Sequence, residues 1–121
     1  MAGTITCKRI YDPEAPGDGF RILVDRLWPR GVRKVDSHVD LWLKDVAPSP
    51  ALRIWFDHRV DRWAVFRQRY TQELSSNPAF QTLFEMAELR DVALLYGAHD
   101  TVHNHAAVLQ EQLQISRRRP A

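Results

Sequence analysis

Two short polar stretches of the sequence carry the residue types that could do chemistry. Residues 25–30, "DRLWPR", follow an apolar run, and residues 96–105, "YGAHDTVHNH", follow a second one. Arginine binds carboxylate and phosphate groups in a bidentate manner, and histidine exchanges protons near neutral pH. Together the two stretches therefore predict a site for an anionic ligand.

We assign roles within this predicted site by residue type. His103 and His105 are the candidate general acid or base, and Asp25 would orient an arginine or a substrate hydroxyl. The residues predicted to bind the substrate are cationic, aromatic or polar members of the same stretches: Arg26, Trp28, Arg30, Tyr96, Asp100 and Asn104. The N-terminus of the last helix would add a partial positive charge.

Each of these residues also has a purely structural interpretation. Asp25 and a nearby arginine could form an ion pair that closes the edge of the sheet. Trp28 could belong to the core, and Asn104 or Thr101 could simply cap the last helix. The two strand ends together therefore carry more weight than any single residue.

Neither a metal nor a cofactor is predicted. His103 and His105 lie two residues apart, so on a helix their side chains point to different sides. Cys7 is the only cysteine, which excludes a multi-cysteine metal cluster, and its alternating surroundings indicate a buried, unreactive thiol. The sequence contains no phosphate-loop motif, dinucleotide fingerprint or nucleophile elbow. The role of His58, between two tryptophans, stays open.

The hydrophobic pattern predicts the order strand, strand, helices, strand, helix. The predicted strands are residues 5–11, 20–27 and 91–97, and the predicted helices begin near residues 36, 49, 60, 77 and 102. This order favours the α/β class, with a small, mostly parallel β-sheet covered by helices on both faces. The connection over residues 12–19 is short for a parallel crossover, so an antiparallel hairpin between the first two strands stays open.

The chain is expected to form a single compact domain over residues 1–115, followed by a basic, flexible tail over residues 116–121. Ligands of such sheets bind beyond the carboxyl ends of the strands. If the two strands that precede the polar stretches are parallel neighbours, both stretches lie at one edge. The predicted partner is then an anionic small molecule or a nucleotide.

Composition limits the other classes of partner. With 121 residues and a net charge of +2, the chain has neither an apolar run that could span a bilayer nor an export leader, so we expect a cytoplasmic protein without a membrane partner. The pI near 9.0 falls short of a dedicated nucleic-acid binder. A nucleic-acid-associated role through Trp28, Arg33, Lys34 and the arginine tail stays as a weaker alternative. The oligomeric state is left open.

Four blocks of the sequence, taken in order, resemble the domain-of-unknown-function 488 family in its short YeaO-like branch. The blocks are "CKRIYDP…DGFRILVDRLWPRGVRK", "LWLKDVAPSPALRIWFDH", "RWAVFRQRY" and "VALLYGAHDTVHNHAAVL", which span about residues 5–113. The resemblance implies a compact, cytoplasmic, bacterial α/β domain and brings no established reaction.

The same resemblance bears on catalysis. Wider members of the family look like they carry a cysteine at the end of the late strand and a Cys-His-Arg run that opens the last helix. The corresponding positions here are Tyr96 or Gly97, followed by His103, Asn104 and His105. The resemblance therefore implies that thiol chemistry is absent, and that this branch uses its histidines differently or has kept a pocket and lost catalysis.

Three functional hypotheses follow, in order of preference. The first is a domain that binds an anionic small molecule or nucleotide, and the second is a small enzyme that uses His103 or His105 on such a substrate. The third is a nucleic-acid-associated accessory module. Whether the protein is an enzyme is left open.

Overall fold

The computed structural model describes residues 2–119, which contain one four-stranded parallel β-sheet. The strands are β1 (Ile5–Arg9), β2 (Phe20–Leu23), β3 (Leu41–Trp42) and β4 (Val92–Tyr96), in the spatial order β1-β4-β2-β3. Strand β4 pairs in parallel with both β1 and β2, and Leu23 lies opposite Leu95. The predicted α/β class with a small parallel sheet is confirmed, and β2 and β4 are the expected parallel neighbours.

Within the same described residues, five α-helices accompany the sheet. They are α1 (Lys34–Ser37), α2 (Pro50–Phe56), α3 (Trp63–Leu74), α4 (Pro78–Leu89) and α5 (His105–Arg118). The starts of α2 and α4 confirm the sequence pattern, because Ser49 and Asn77 cap them and a proline occupies the first helical position of each. Of the two caps considered for the last helix, Asn104 is the one observed, and α5 begins after it. The placement of Val102 on the inner side of this helix is wrong, because Val102 precedes α5 and is exposed.

The four longer helices, α2 to α5, pack on one face of the sheet. Ile22 and Leu94 of the strands, and Val24 directly after β2, are buried in this core. They meet the fully buried Tyr70 of α3, whose hydroxyl donates a hydrogen bond to the Val46 carbonyl at 2.6 Å. This buried bond ties α3 to the segment that leads into α2.

The second face of the sheet is covered differently from the prediction. Here Leu23 and Leu95 contact two tryptophans, Trp28 and Trp42, together with Val32 and Val39. All four of these covering residues belong to the segment between β2 and α2, and no long helix covers this face within residues 2–119. The expectation of helices on both faces is therefore wrong for this face, where only the single-turn α1 lies in the covering segment.

The predicted helix near residues 36–46 is also wrong, because part of this segment pairs with the sheet. Its apolar spacing suits a helix, but Leu41 and Trp42 pair with β2 as the edge strand β3. The Trp42 indole also donates a hydrogen bond to the Asp25 carbonyl at 2.7 Å. Pairing with the sheet thus overrides the local pattern.

The short connection between β1 and β2 does not form a hairpin, because β4 lies between these two strands. A buried ion cluster fastens the connection instead. Lys8 donates to both carboxylate oxygens of Asp18 at 3.1 Å, and the Arg21 guanidinium binds the same carboxylate. Lys8 also donates to the Pro13 carbonyl at 2.7 Å.

Helix α5 continues past the boundary predicted at residue 115. Residues 116–118 are helical, and Arg117 donates to the Ala87 carbonyl at 2.6 Å and pairs with Glu88 at 3.3 Å. The last two residues of the predicted flexible tail, 120 and 121, lie outside the described part of the chain. None of the helices described is long and apolar enough to cross a membrane.

Candidate functional site

A cleft of about 750 Å³ lies at the carboxyl ends of β2 and β4. Its lining comes mainly from the residues that follow β2, the loop from Gly97 into α5, and the C-terminal half of α2 with the two residues after it. Ala47, Pro48 and Phe66 of α3 complete the lining. Because β2 and β4 are parallel neighbours, their polar ends meet at one edge of the sheet. Six of the nine residues that the sequence predicts for the site line this cleft: Asp25, Arg26, Asp100, His103, Asn104 and His105.

The first feature of the cleft is the pair formed by Asp25 and His105. His105 Nε2 lies 2.9 Å from the Val24 carbonyl oxygen and 3.3 Å from Asp25 Oδ1. A carbonyl oxygen only accepts hydrogen bonds, so Nε2 carries the proton and Nδ1 is the nitrogen left for other partners. Asp25 Oδ1 is buried and has no hydrogen bond within the described residues, so its contact with the imidazole is electrostatic.

The other oxygen of Asp25 joins the two strand ends. The Gly97 amide donates to Asp25 Oδ2 at 2.9 Å. A Cβ atom on residue 97 would lie 3.0 Å from the same oxygen, which is closer than side chains normally approach. A glycine at this position therefore lets the carboxylate sit directly on the loop that leads into α5.

The second pair, Asp100 and His103, is built in the opposite way. Asp100 Oδ1 accepts the amides of Val102 and His103 at 2.8 Å, and Oδ2 lies 2.9 Å from His103 Nδ1. These bonds, led by the His103 amide, lower the pKa of Asp100 to about 2. The ionised carboxylate holds the proton on Nδ1 of His103, so Nε2 is the nitrogen left for a ligand.

The surroundings of the two histidines fix their rings further. The His103 ring packs edge-on against Trp63 with centroids 5.3 Å apart, and His105 meets Tyr70 at 6.2 Å. Asn104 lies between them and caps α5 by accepting the Ala107 amide at 2.9 Å. Asn104 is only 3% exposed, which supports its structural interpretation as a helix cap.

The arginines of the cleft differ in how much binding capacity they retain. Arg26 donates through Nε and Nη2 to the carbonyls of Ala47 and Pro48 at 3.2–3.3 Å. Its charge stays in the wall of the cleft, but it does not present the open bidentate fork that the sequence led us to expect. Arg53 of α2 is exposed and also lines the cleft.

Sequence reasoning missed the contribution of α2. Arg53 had no motif around it, and Asp57 was not considered. Asp57 and His58 both have positive φ angles, of 48° and 54°, so the chain turns sharply after α2 and brings both residues to the cleft. The dipeptide "DH" after an apolar helix end was the available signal, because aspartate is among the residues that enter the left-handed region most readily.

Three predicted substrate-binding residues are not brought to the cleft: Trp28, Arg30 and Tyr96. Trp28 turns to the second face of the sheet, where its indole donates to the Val32 carbonyl at 2.7 Å. The exposed Arg30 follows the same turn and uses its carbonyl to accept the Tyr11 hydroxyl. Tyr96 is 3% exposed, because on β4 it shares the helix-covered face with Val92 and Leu94.

The remaining candidate groups have partners elsewhere in the molecule. The Cys7 thiol lies 3.4 Å from the Ala106 carbonyl, and burial raises its pKa to about 11. Lys34 places its ammonium over the Trp28 ring, and Arg33 pairs with Asp36. Within residues 2–119, no three histidine, cysteine or acidic side chains lie close enough together to hold a metal ion.

Comparison with known proteins places relatives over nearly the whole chain. The family DUF488-N3i, described as the inactive DUF488-N3 subclade, matches residues 4–120. The uncharacterized protein YeaO of Escherichia coli is 45% identical over 111 residues, which cover 91% of this chain and 96% of YeaO. The uncharacterized protein Rv3073c of Mycobacterium tuberculosis is 41% identical over 105 residues, covering 87% of this chain and 89% of the relative. No solved structure gives a significant match.

Proposed function

Because the chain belongs to the DUF488-N3i family, the inactive DUF488-N3 subclade, we propose that it binds an anionic small molecule in the cleft at the ends of β2 and β4. The observation that carries this proposal is the convergence of Arg26, His103 and His105 on one opening, although they come from distant parts of the sequence. Concave sites with a few convergent polar groups are typical of small-molecule binding.

The arginines and the free backbone amides of the cleft favour a ligand that accepts hydrogen bonds. Arg26, in the segment after β2, and the exposed Arg53 of α2 bring positive charge to the lining. The backbone amides in the first turn of α5 have no acceptor within the helix. The Asn104 side chain accepts a hydrogen bond from one of them, the amide of Ala107. A carboxylate or phosphate at this helix end would be stabilised by these groups together.

A thermal-shift experiment tests the proposal. The full chain would be heated with phosphate, a nucleoside monophosphate and an aromatic carboxylate, each compared with an uncharged analogue. A ligand at a tenfold excess over its Kd stabilises the folded state by about 1.4 kcal/mol, which raises the midpoint by several degrees. We expect anions to raise the midpoint and their neutral analogues to do so less.

Matched variants locate the binding. Arg53→Gln and His103→Gln should weaken the shift, whereas Arg33→Gln should not, because the Arg33 side chain is 78% exposed and outside the cleft. An equal loss in all three variants, or no shift with any anion, would contradict the proposal.

Acid–base catalysis on the same ligand is a second candidate, favoured by the contact between Asp100 and His103. A carboxylate on one ring nitrogen leaves the other nitrogen able to accept or deliver a proton. If this candidate holds, His103→Gln abolishes turnover even at substrate concentrations that saturate the variant, a loss beyond the weaker binding expected above. A ligand that binds and is recovered unchanged after long incubation with the wild-type chain would exclude it for that ligand.

A further inference from the structure

The charges that line the cleft set a limit on the ligand. The lining contains two arginines, Arg26 and Arg53, and three aspartates, Asp25, Asp57 and Asp100. With neutral histidines the wall therefore carries one excess negative charge. A polyphosphate would bring several more negative charges to this wall, and like charges at short range repel strongly.

Protonation of the histidines can offset the excess negative charge of the wall, by one positive charge for each ring. Four histidines line the cleft: His58, His99, His103 and His105. His103 Nδ1 lies 2.9 Å from the Asp100 carboxylate, and His105 Nε2 lies 3.3 Å from that of Asp25. Protonation of these two rings gives the wall one excess positive charge, which matches a ligand with a single negative charge.

Apart from Asn104, the rest of the lining is apolar. Leu27 and Ile54 are 62% and 68% exposed, although both are large hydrophobic residues, and both line the cleft. Phe56 and Phe66 line it from the core side and stack on each other with centroids 4.2 Å apart. A ligand that covered Leu27 and Ile54 would remove apolar surface from water, which is favourable.

We propose that the ligand is an amphipathic monoanion, namely a carboxylate with an aromatic or branched apolar body, and not a nucleotide polyphosphate. This inference rests on the proposed function of the cleft and narrows it. The carboxylate lies near Arg53 and the free nitrogens of His103 and His105, and the apolar body lies against Leu27 and Ile54. The volume of about 750 Å³ is in the range of sites for ligands of this size.

Calorimetric titration of the full chain tests the charge of the ligand. The probes are phenylbutyrate, the uncharged phenylbutyramide and adenosine diphosphate, each at about pH 6 and about pH 8. Histidine takes up protons over this range and a carboxylate stays ionised, so phenylbutyrate should bind about tenfold tighter at the lower pH. The amide should bind more weakly and lose most of this pH dependence.

A matched pair of variants tests the apolar body. Ile54→Ser should weaken phenylbutyrate about tenfold, since it removes apolar contact area. Val35→Ser is the control, because Val35 is 71% exposed and lies outside the cleft. Equal affinities in these two variants would overturn the placement of the apolar body.

The outcomes separate this inference from the proposed function. Tighter binding of adenosine diphosphate than of phenylbutyrate, lost in Arg53→Gln, would refute the monoanion and retain an anion-binding cleft. Binding of phenylbutyramide as tightly as phenylbutyrate would refute the role of charge in both. Binding of none of the probes, together with no response to the anions of the thermal-shift panel, would also refute both.

Discussion

The ion cluster under the β1–β2 connection and the Asp–His pairs of the cleft use similar charged groups in different ways. Asp18 accepts from Lys8, from the Arg21 guanidinium and from the Ala15 amide. Arg21 is 2% exposed and also donates to the carbonyls of Ser37 and His38. The hydrogen-bonding capacity of this cluster is thus largely consumed by the protein itself.

The two Asp–His pairs of the cleft, in contrast, retain hydrogen-bonding capacity. Asp100 binds one nitrogen of His103, and the Val24 carbonyl, next to Asp25, binds one nitrogen of His105. Nε2 of His103 and Nδ1 of His105 are left without a partner among the described residues. The side chains of these histidines are 29% and 16% exposed, so solvent or a ligand can reach them. The number of unused donors and acceptors therefore distinguishes the charged groups that stabilise the fold from those that can bind a ligand.

The largest expected effect is the loss of stability when the buried cluster is broken. Asp18→Asn removes the negative charge that faces two cations, and a buried cation without its partner is strongly unfavourable. We expect the free energy of unfolding to fall by about 3 kcal/mol, measured by urea denaturation.

The control for Asp18→Asn is Asp36→Asn, which removes a carboxylate that pairs with Arg33 on the surface. An exposed pair contributes about 0–1 kcal/mol, so this variant should unfold almost as the wild type does. Ligand affinity should be retained in both variants. Similar losses of stability in the two variants would show that the buried cluster stabilises the fold no more than an exposed ion pair does.

The next effect tests whether the strand ends need their close approach. Gly97→Ala places a Cβ about 3.0 Å from Asp25 Oδ2 and pushes the carboxylate away from the residue 97 amide. Crowding of this kind typically destabilises by about 1–3 kcal/mol, and we expect the lower end because the Asp25 side chain can shift. Ligand affinity should fall as well, since His105 loses its carboxylate neighbour.

The matched control is Gly17→Ala, because a Cβ on residue 17 would have no neighbour within 4 Å. We expect this variant to be as stable as the wild type or slightly more so, since alanine restricts the unfolded chain. If Gly97→Ala behaves like Gly17→Ala in both unfolding and ligand titration, the contact at residue 97 has no role in shaping the cleft.

The same comparison explains how far the sequence could predict the molecule. The starts of α2 and α4 depend on neighbours in the chain, Ser49 with Pro50 and Asn77 with Pro78, so local chemistry suffices. The edge strand β3 depends on pairing with β2, which the local pattern around Trp42 does not encode. Cover of the second sheet face by a loop segment follows from the same pairing.

The residues of the candidate site also divide into those that the sequence could predict and those that depend on packing. Asp25, His103 and His105 could be found because they follow strands and the strand-end rule applies to parallel sheets. Tyr96 could have been excluded, since the continuous apolar run predicts a strand covered on both faces, where either side-chain direction leads into packed core. The placement of Arg53 could not be predicted, because it depends on where α2 packs.

The smallest effect concerns Asp100 at acid pH. Its pKa is lowered from 3.8 to about 2, chiefly by the His103 amide and then by the Val102 amide and the His103 ring. A carboxyl group whose folded pKa is depressed stabilises the fold above its unfolded pKa. This contribution is therefore complete above about pH 4 and is lost as the pH falls towards about 2.

Asp100→Asn isolates that contribution. The variant should be less stable than the wild type at neutral pH, and the difference should shrink as the pH falls from about 4 to about 2. Comparison with the wild type is necessary because Asp18 titrates too: burial alone would raise its pKa, but bonds from the Ala15 amide, Lys8 and Arg21 outweigh burial and lower it. Urea midpoints across this range measure the difference, and NMR titration of the Asp100 carboxyl checks its cause. A stability difference that stays constant with pH, or an Asp100 carboxyl that titrates at its ordinary value, would contradict this prediction. The turn into α5 would then hold His103 without an ionised partner. The contrast between the ion cluster and the cleft would rest on the Asp25–His105 pair alone.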